Sequence, residues 1–208
     1  MKMVRGIALR LQYEVIVRDK KGKVLSREKR SCKSLVTNFV RWLRIFATVV
    51  AGDIAPPTVA MNDTGNIGRT VPYGGIRAMG AWGGWLAPVN IDAYGIAVGT
   101  SNQAVEPADY NLVGKIAQGT GAGQMVYGAQ SVEAVLVVGS VSSWRNTRVF
   151  TNNSGSLITV REIGFIFGIY DTGNAIRYFL GCRDVLAVSK EVPDGSTITV
   201  RYTVSVSA

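Results

Sequence analysis

The closing segment, STITVRYTVSVSA, constrains this chain more than any other stretch. Ile198, Val200, Tyr202, Val204 and Val206 alternate with Thr197, Thr199, Arg201, Thr203 and Ser205. Neighbouring side chains on a strand point to opposite faces, so a period of two marks a strand with one apolar and one polar face. The segments SVEAVLVVGSVSS, SLITVREIGFIFGIY and AIRYFLGCRDVLAVS share this strand character, and TNNSG, DTGN and VPDG separate them with turn-forming residues. Strands at this spacing predict an antiparallel sandwich or barrel. Residues 157 to 206 are then expected to be consecutive strands of one sheet system, with Ile198, Val200, Tyr202 and Val204 facing inward. Within EIGFIFGIY, Ile163, Phe165, Phe167 and Ile169 share a face. Gly164 and Gly168 keep the other face small, which suits close approach of a second layer or subunit.

The first 50 residues hold another strand pattern and the chain's one helical pattern. In LRLQYEVIVRD, Leu9, Leu11, Tyr13, Val15 and Val17 point one way, and Arg10, Gln12, Glu14 and Arg18 the other. The turn DKKG, with Gly22 free to take a left-handed conformation, leads into a charged partner strand, KVLSREKR. SLVTNFVRWLRIFATVV changes period: Leu35, Phe39, Leu43 and Phe46 recur at three- and four-residue steps, with Val36, Val40, Ala47 and Val50 beside them. Thr37, Arg41, Arg44 and Thr48 oppose them. This predicts an amphipathic helix with Ser34 as N-cap and Gly52 near its end, packed across a sheet.

From Gly52 to Gly128 the periodicity disappears, and 15 of the 24 glycines fall there. Short strands joined by extended excursions are expected, and such loops on a rigid sheet are where binding resides. The expected class is therefore mainly β: an antiparallel β-sandwich, jelly-roll-like, with one N-terminal amphipathic helix and long glycine-rich loops. A single domain spans 1–208. Residues 1–50 form the basic hairpin and helix, 51–130 the glycine-rich loops and short strands, and 131–208 the antiparallel strands.

Composition excludes much chemistry. There is no histidine, which removes Ser–His and Cys–His nucleophiles, histidine metal sites and the usual general base near neutral pH. The 14 acidic residues are expected mostly at turns, as in RDKKG, YDTGN and VPDGS. Cys32 and Cys182 form no CxxC and read as two buried thiols, so no catalytic residue, metal or cofactor is expected. Apolar runs such as AVLVVG are too short to cross a bilayer, and no signal peptide is evident at the start; no membrane association is expected. Charge is lopsided. Up to Val50, 13 Lys and Arg face three acids, a local balance of +10, whereas the remainder is nearly neutral. Lys20, Lys21, Lys23, Arg27, Lys29, Arg30, Arg41 and Arg44 are the candidate contacts to an acidic partner, either a protein or nucleic acid held by its phosphates. Tyr73, Trp82, Trp85, Leu86 and Tyr94 in the glycine-rich region are candidates for a subunit interface or, the aromatic ones among them, for stacking against sugars.

Residues 95 to 116, GIAVGTSNQAVEPADYNLVGKI, contain glycines but no GK[ST] and no following helix, so they are not a nucleotide loop. Their order, I-x-V-G-T-S…P-x-D-Y-x-L…I, continues through ITVREIGFIF and R-D-V-L to a terminal G-S-T-I-T-V-R-Y-T-V. This order resembles structural proteins of tailed bacteriophages and related prokaryotic viruses over about residues 95 to 208, and more loosely SREKRSCKSLVTNFVRWL. The resemblance implies a non-enzymatic virion component, made in a host cytoplasm, that assembles with itself and with other virion proteins in a capsid surface or tail.

Overall fold

A computed structural model describes residues 8–32, 34–47, 58–72, 84 and 86–207. Among these the chain forms one helix, α1 (Thr37–Ala47), and twelve strands. The strands are β1 (Ala8–Arg18), β2 (Val24–Ser31), β3 (Thr58–Asn62), β4 (Gly68–Pro72), β5 (Gly95–Gly99) and β6 (Val126–Tyr127), followed by β7 (Ser131–Val132), β8 (Leu136–Val138), β9 (Val141–Thr151), β10 (Ile158–Tyr170), β11 (Ile176–Val192) and β12 (Thr197–Ser207). The class is mainly β with antiparallel sheets. The largest sheet runs β2-β1-β12-β9-β6, with β7 and β8 also pairing β9; a second runs β11-β10-β5; β3 and β4 make a separate hairpin. No helix among the described residues is long and apolar enough to cross a membrane.

The alternation in β12 places its side chains as expected: Ile198, Val200 and Tyr202 are buried and Val204 partly so. Its partners differ from the expectation. Residues 157–206 do not form one sheet, because β10 and β11 pair with each other and with β5, while β12 lies between β1 and β9. Closing the chain this way sets Leu9, Leu11, Tyr13, Val15 and Val17 directly opposite Val206, Val204, Tyr202, Val200 and Ile198. Cross-strand partners share a face, so two apolar stripes merge into one. That face and the β10–β11 hairpin contribute to a single apolar core, with Phe165 packed edge-on to Tyr202 at 6.4 Å between ring centres.

Both faces of β10 are buried from Glu162 to Ile169. A Cβ added at Gly164 would come within 2.6 Å of Leu112 Cδ1 and 3.0 Å of the Cys182 carbonyl, so the missing side chain admits the loop carrying Leu112. The close layer is therefore this chain's own loop.

The helix departs from expectation in span and face. It begins at Thr37, whose amide donates to Pro107 O at 2.9 Å, and Ser34 does not cap it: the Ser34 carbonyl accepts from Arg183 N. Leu35, Val40 and Leu43 are exposed, whereas Asn38 is buried and Trp42 packs on Phe167 at 5.7 Å. Asn38 explains the rotation. Its side chain donates to Asn62 O and accepts from Asn62 N, completing the end of β3. Satisfying those backbone groups of Asn62 outweighs covering one more leucine. The helix end expected near Gly52 lies outside the described residues.

Glu14, assigned to the polar face of β1, is buried between two cations. It accepts from Arg27 Nε at 2.7 Å and Arg201 Nη1 at 2.9 Å. Glu28 accepts from Tyr13 at 3.1 Å and pairs with Lys190 at 2.8 Å. Burial alone would raise both carboxyls, but these bonds outweigh it and hold them below the ordinary glutamate range. Each is therefore ionised more readily folded than unfolded. The stability they add is present above about pH 4.5 and is lost as pH falls through their lowered values. The thermal midpoint is expected to fall between about pH 5 and about pH 3, and Glu14→Gln with Glu28→Gln should flatten that slope. An equally steep slope in the double variant would place the acid sensitivity elsewhere.

Candidate functional site

One face of the largest sheet runs further than its cover. Along β9, the residues opposite Ile198, Val200, Tyr202, Val204 and Val206 are Phe150, Arg148, Asn146, Trp144 and Ser142. Phe150 lies under Tyr127, ring centres 4.7 Å apart, and Asn146 under Gln130, which donates to it at 2.9 Å. Trp144 is only partly buried and Ser142 is exposed. The same gradient runs down β1 from buried Tyr13 to Leu9, which is 71% exposed. Leu9 and Val206 are cross-strand partners, Val206 opposes Ser142, and Ser142 opposes Val137. An apolar row thus continues past the second sheet into water.

The β8–β9 hairpin extends that edge. Val138 pairs Val141 across a tight turn in which Gly139 holds φ at +58°. That left-handed value strains any residue with a Cβ. Residues 131–142 are all exposed. Val135, Leu136, Val137 and Val138 belong to both faces of the strand by alternation, so neither face is packed on the body. At the base lies an open groove of about 640 Å³, lined by Leu86, Val132, Glu133, Ala134, Val135, Trp144 and Asn146.

Two fully buried arginines hold the loops around the two larger sheets. Arg148 points inward from β9, and each of its five N–H donors meets a backbone carbonyl. Nε reaches Gly128 O at 2.9 Å. Nη1 reaches Tyr94 O at 3.1 Å and Ile96 O at 2.9 Å, and Nη2 reaches Pro88 O at 3.2 Å and Ile91 O. Its guanidinium lies 4.8 Å from the Tyr127 ring centre. Burial lowers the Arg148 pKa to about 10, so it stays charged at neutral pH. The loop it fixes carries Leu86 to the rim of the groove.

Arg183 on β11 does the same for residues 100–114. It donates to Glu162 Oε2 at 2.6 Å, Asp109 Oδ2 at 2.8 Å, Ala104 O at 3.2 Å and Gln103 O at 2.8 Å. Glu162 Oε1 in turn accepts Gly114 N at 2.6 Å. Burial works against the Arg183 charge, but the two carboxylates more than offset it and raise its pKa. Gly99 is required here, because a Cβ would lie 2.4 Å from Glu162 Oε1 and 2.8 Å from Gly114 O. Glu162 holds a loop from inside rather than at a turn. Asp109 closes the turn at 106–109 as well as pairing with Arg183, and Asp19 and Asp171 make the turns expected of them.

Of the other candidate residues, Leu86 is exposed at the groove, and Tyr94 is stacked on Tyr178 at 5.6 Å with 4° between planes. That stacking covers one face of the Tyr94 ring. Tyr73, Trp82 and Trp85 lie outside the described residues. Lys20, Lys21, Lys23, Arg27, Lys29 and Arg30 are exposed along the β1–β2 hairpin, with Arg27 paired to Glu14 and Arg30 to Glu28. Arg41 donates to Ala60 O at 3.2 Å, away from that hairpin, and Arg44 is exposed on α1. Sequence reasoning missed Arg148, Arg183, Glu162 and Asp109. The available signal for Arg148 was its parity with Trp144 and Phe150. Comparisons with family models, with curated proteins and with solved structures find no match to this chain.

Proposed function

We propose that this protein is a non-enzymatic structural subunit that assembles with copies of itself, as a component of a viral particle. The observation that carries self-assembly is the uncovered apolar end of the largest sheet: Leu9, Val206, Val137 and Val135 beside an open apolar groove. Contiguous exposed apolar surface of this kind marks interaction sites. The convex β8–β9 hairpin and the concave groove at its base give a second copy both halves of a contact. Among the described residues β8 pairs only with β9, so its other edge offers backbone groups for strand addition. The particle reading rests on the order of motifs between residues 95 and 208. It is supported by the convergence of their charged residues, Asp109, Glu162 and Arg183, on a buried framework rather than on a reactive cleft. The β-sandwich arrangement belongs to the same proposal and is supported by the core shared between the two larger sheets.

The test is mass by light scattering during size exclusion, over a hundredfold range of concentration. The wild type is expected to associate, and Val135→Asp with Val137→Asp is expected to be monomeric with unchanged far-ultraviolet dichroism, because both positions are exposed. A wild type that stays monomeric throughout would refute the proposal.

A further inference from the structure

Cys32 is far in sequence from Cys182 and Asp184, yet one ligand atom from each of the three lies within 4.8 Å of the other two. Cys32 follows β2, its amide donating to Leu11 O at 2.8 Å. Cys182 and Asp184 are two residues apart on β11, so they share one side of that strand. Both are buried, while Cys32 is partly exposed, and both cysteines are free thiols. Beside them the Tyr202 hydroxyl, on a side chain 4% exposed, has no hydrogen-bond partner among the described residues. Tyr202 and Cys182 line one small cavity of about 60 Å³. From the other side an open groove of about 450 Å³, lined by Tyr13, Arg30, Ser31, Ser34 and Asp184, connects the cluster to water.

We propose that Cys32, Cys182 and Asp184 form a binding site for one thiophilic divalent cation of the zinc class. Two thiolates and a carboxylate are a donor set that such ions prefer, and hard cations such as Mg²⁺ do not. Zinc–sulfur bonds of about 2.3 Å put tetrahedral sulfurs about 3.7 Å apart, and the ligand atoms lie within 4.8 Å of one another, so closure about an ion needs a contraction of at most about 1 Å. Cys32 sits at a strand end, where that movement is least restrained. A fourth ligand would come from the cavity that Tyr202 and Cys182 line, as the Tyr202 hydroxyl or a water. Binding is ligand exchange without oxidation: each thiol gives its proton to solvent, the two sulfurs and the carboxylate donate to the ion, and the resulting unit carries a net charge of −1. Arg30, which pairs with Glu28, lies on the wall of the same groove. The ion would tie the end of β2 to the centre of β11, reinforcing a junction of the two larger sheets where Val36 N already donates to Gly181 O and Arg183 N to Ser34 O, each at 3.2 Å.

The test is titration of the reduced full chain with Co²⁺, reading thiolate-to-cobalt charge-transfer absorption and tetrahedral ligand-field bands, followed by displacement with Zn²⁺. One equivalent is expected to bind, and Zn²⁺ to abolish the spectrum. Cys182→Ser should remove the charge-transfer band or weaken affinity at least tenfold. Asp184→Asn, an isosteric change that keeps the fold readable by far-ultraviolet dichroism, should weaken affinity about tenfold or more. Three results would each overturn the proposal: no charge-transfer band in the wild type, a band unaltered in Cys182→Ser, or an intact mass showing that Cys32 and Cys182 are joined as a disulfide and regain no metal after reduction.

Discussion

Replacing Arg148 with methionine is expected to leave the protein unable to reach a soluble native state. Methionine fills much of the space but withdraws all five donors from the carbonyls of Gly128, Tyr94, Ile96, Pro88 and Ile91. A buried acceptor left without a donor costs about 1–3 kcal/mol. Even at the low end, five of them approach about 5 kcal/mol, which is as large as the net stability of many domains. The loss is also structural, because Pro88, Ile91 and Tyr94 lie in the loop before β5, and Arg148 ties that loop to Ile96 in β5 and to Gly128 after β6. Arg148→Lys keeps the charge but brings at most three donors on a tetrahedral head, and should fall between the two. Soluble yield and urea midpoints decide the matter. A methionine variant within about 1 kcal/mol of wild type would show that the guanidinium is not what holds residues 88–96.

The parts of this fold legible in the sequence are those where one residue reports its own surroundings. The alternation in β12 named its buried face, and Gly164 announced that something must approach closely. Period says nothing, however, about which strand lies alongside. For this reason β12 could be assigned its inward residues and still be placed in the wrong sheet. The helix face failed for a related cause. Periodicity counts apolar residues, whereas Asn38 earned its buried position through two hydrogen bonds to Asn62, a residue 24 positions away. Val135 to Val138 read as a strand and are one in part, but an unbroken apolar run does not say whether it is covered. Its exposure follows from the largest sheet outrunning its cover, a property of two sheets together. The buried arginines were hard to read for the opposite reason: arginine is almost always solvated, so the residue type announces no burial. Cys32 and Cys182 likewise become neighbours only when β2 and β11 are brought together.

Arg183→Met is expected to cost about 3–5 kcal/mol, the range for removing one partner of a buried ion pair. Glu162 is fully buried, and without Arg183 its carboxylate would keep only the backbone amides of Gly114 and Val113. Adding Glu162→Gln removes the orphaned charge, so the double variant should regain at least about 1 kcal/mol over the single one despite carrying a further substitution. Gln103 O and Ala104 O lose their donor in both variants. Residues 100–114 should therefore become susceptible to limited proteolysis and exchange their amides faster. Amides paired between β10 and β11 should stay protected, because that ladder does not use the Arg183 side chain. Two distinct effects are thus separable: denaturant midpoints report the buried charge, and loop proteolysis reports the lost carbonyl contacts. If the single and double variants unfold at the same denaturant concentration, the uncompensated carboxylate is not the source of the cost. If the loop stays protected in both, Arg183 is not what anchors it to the sheet.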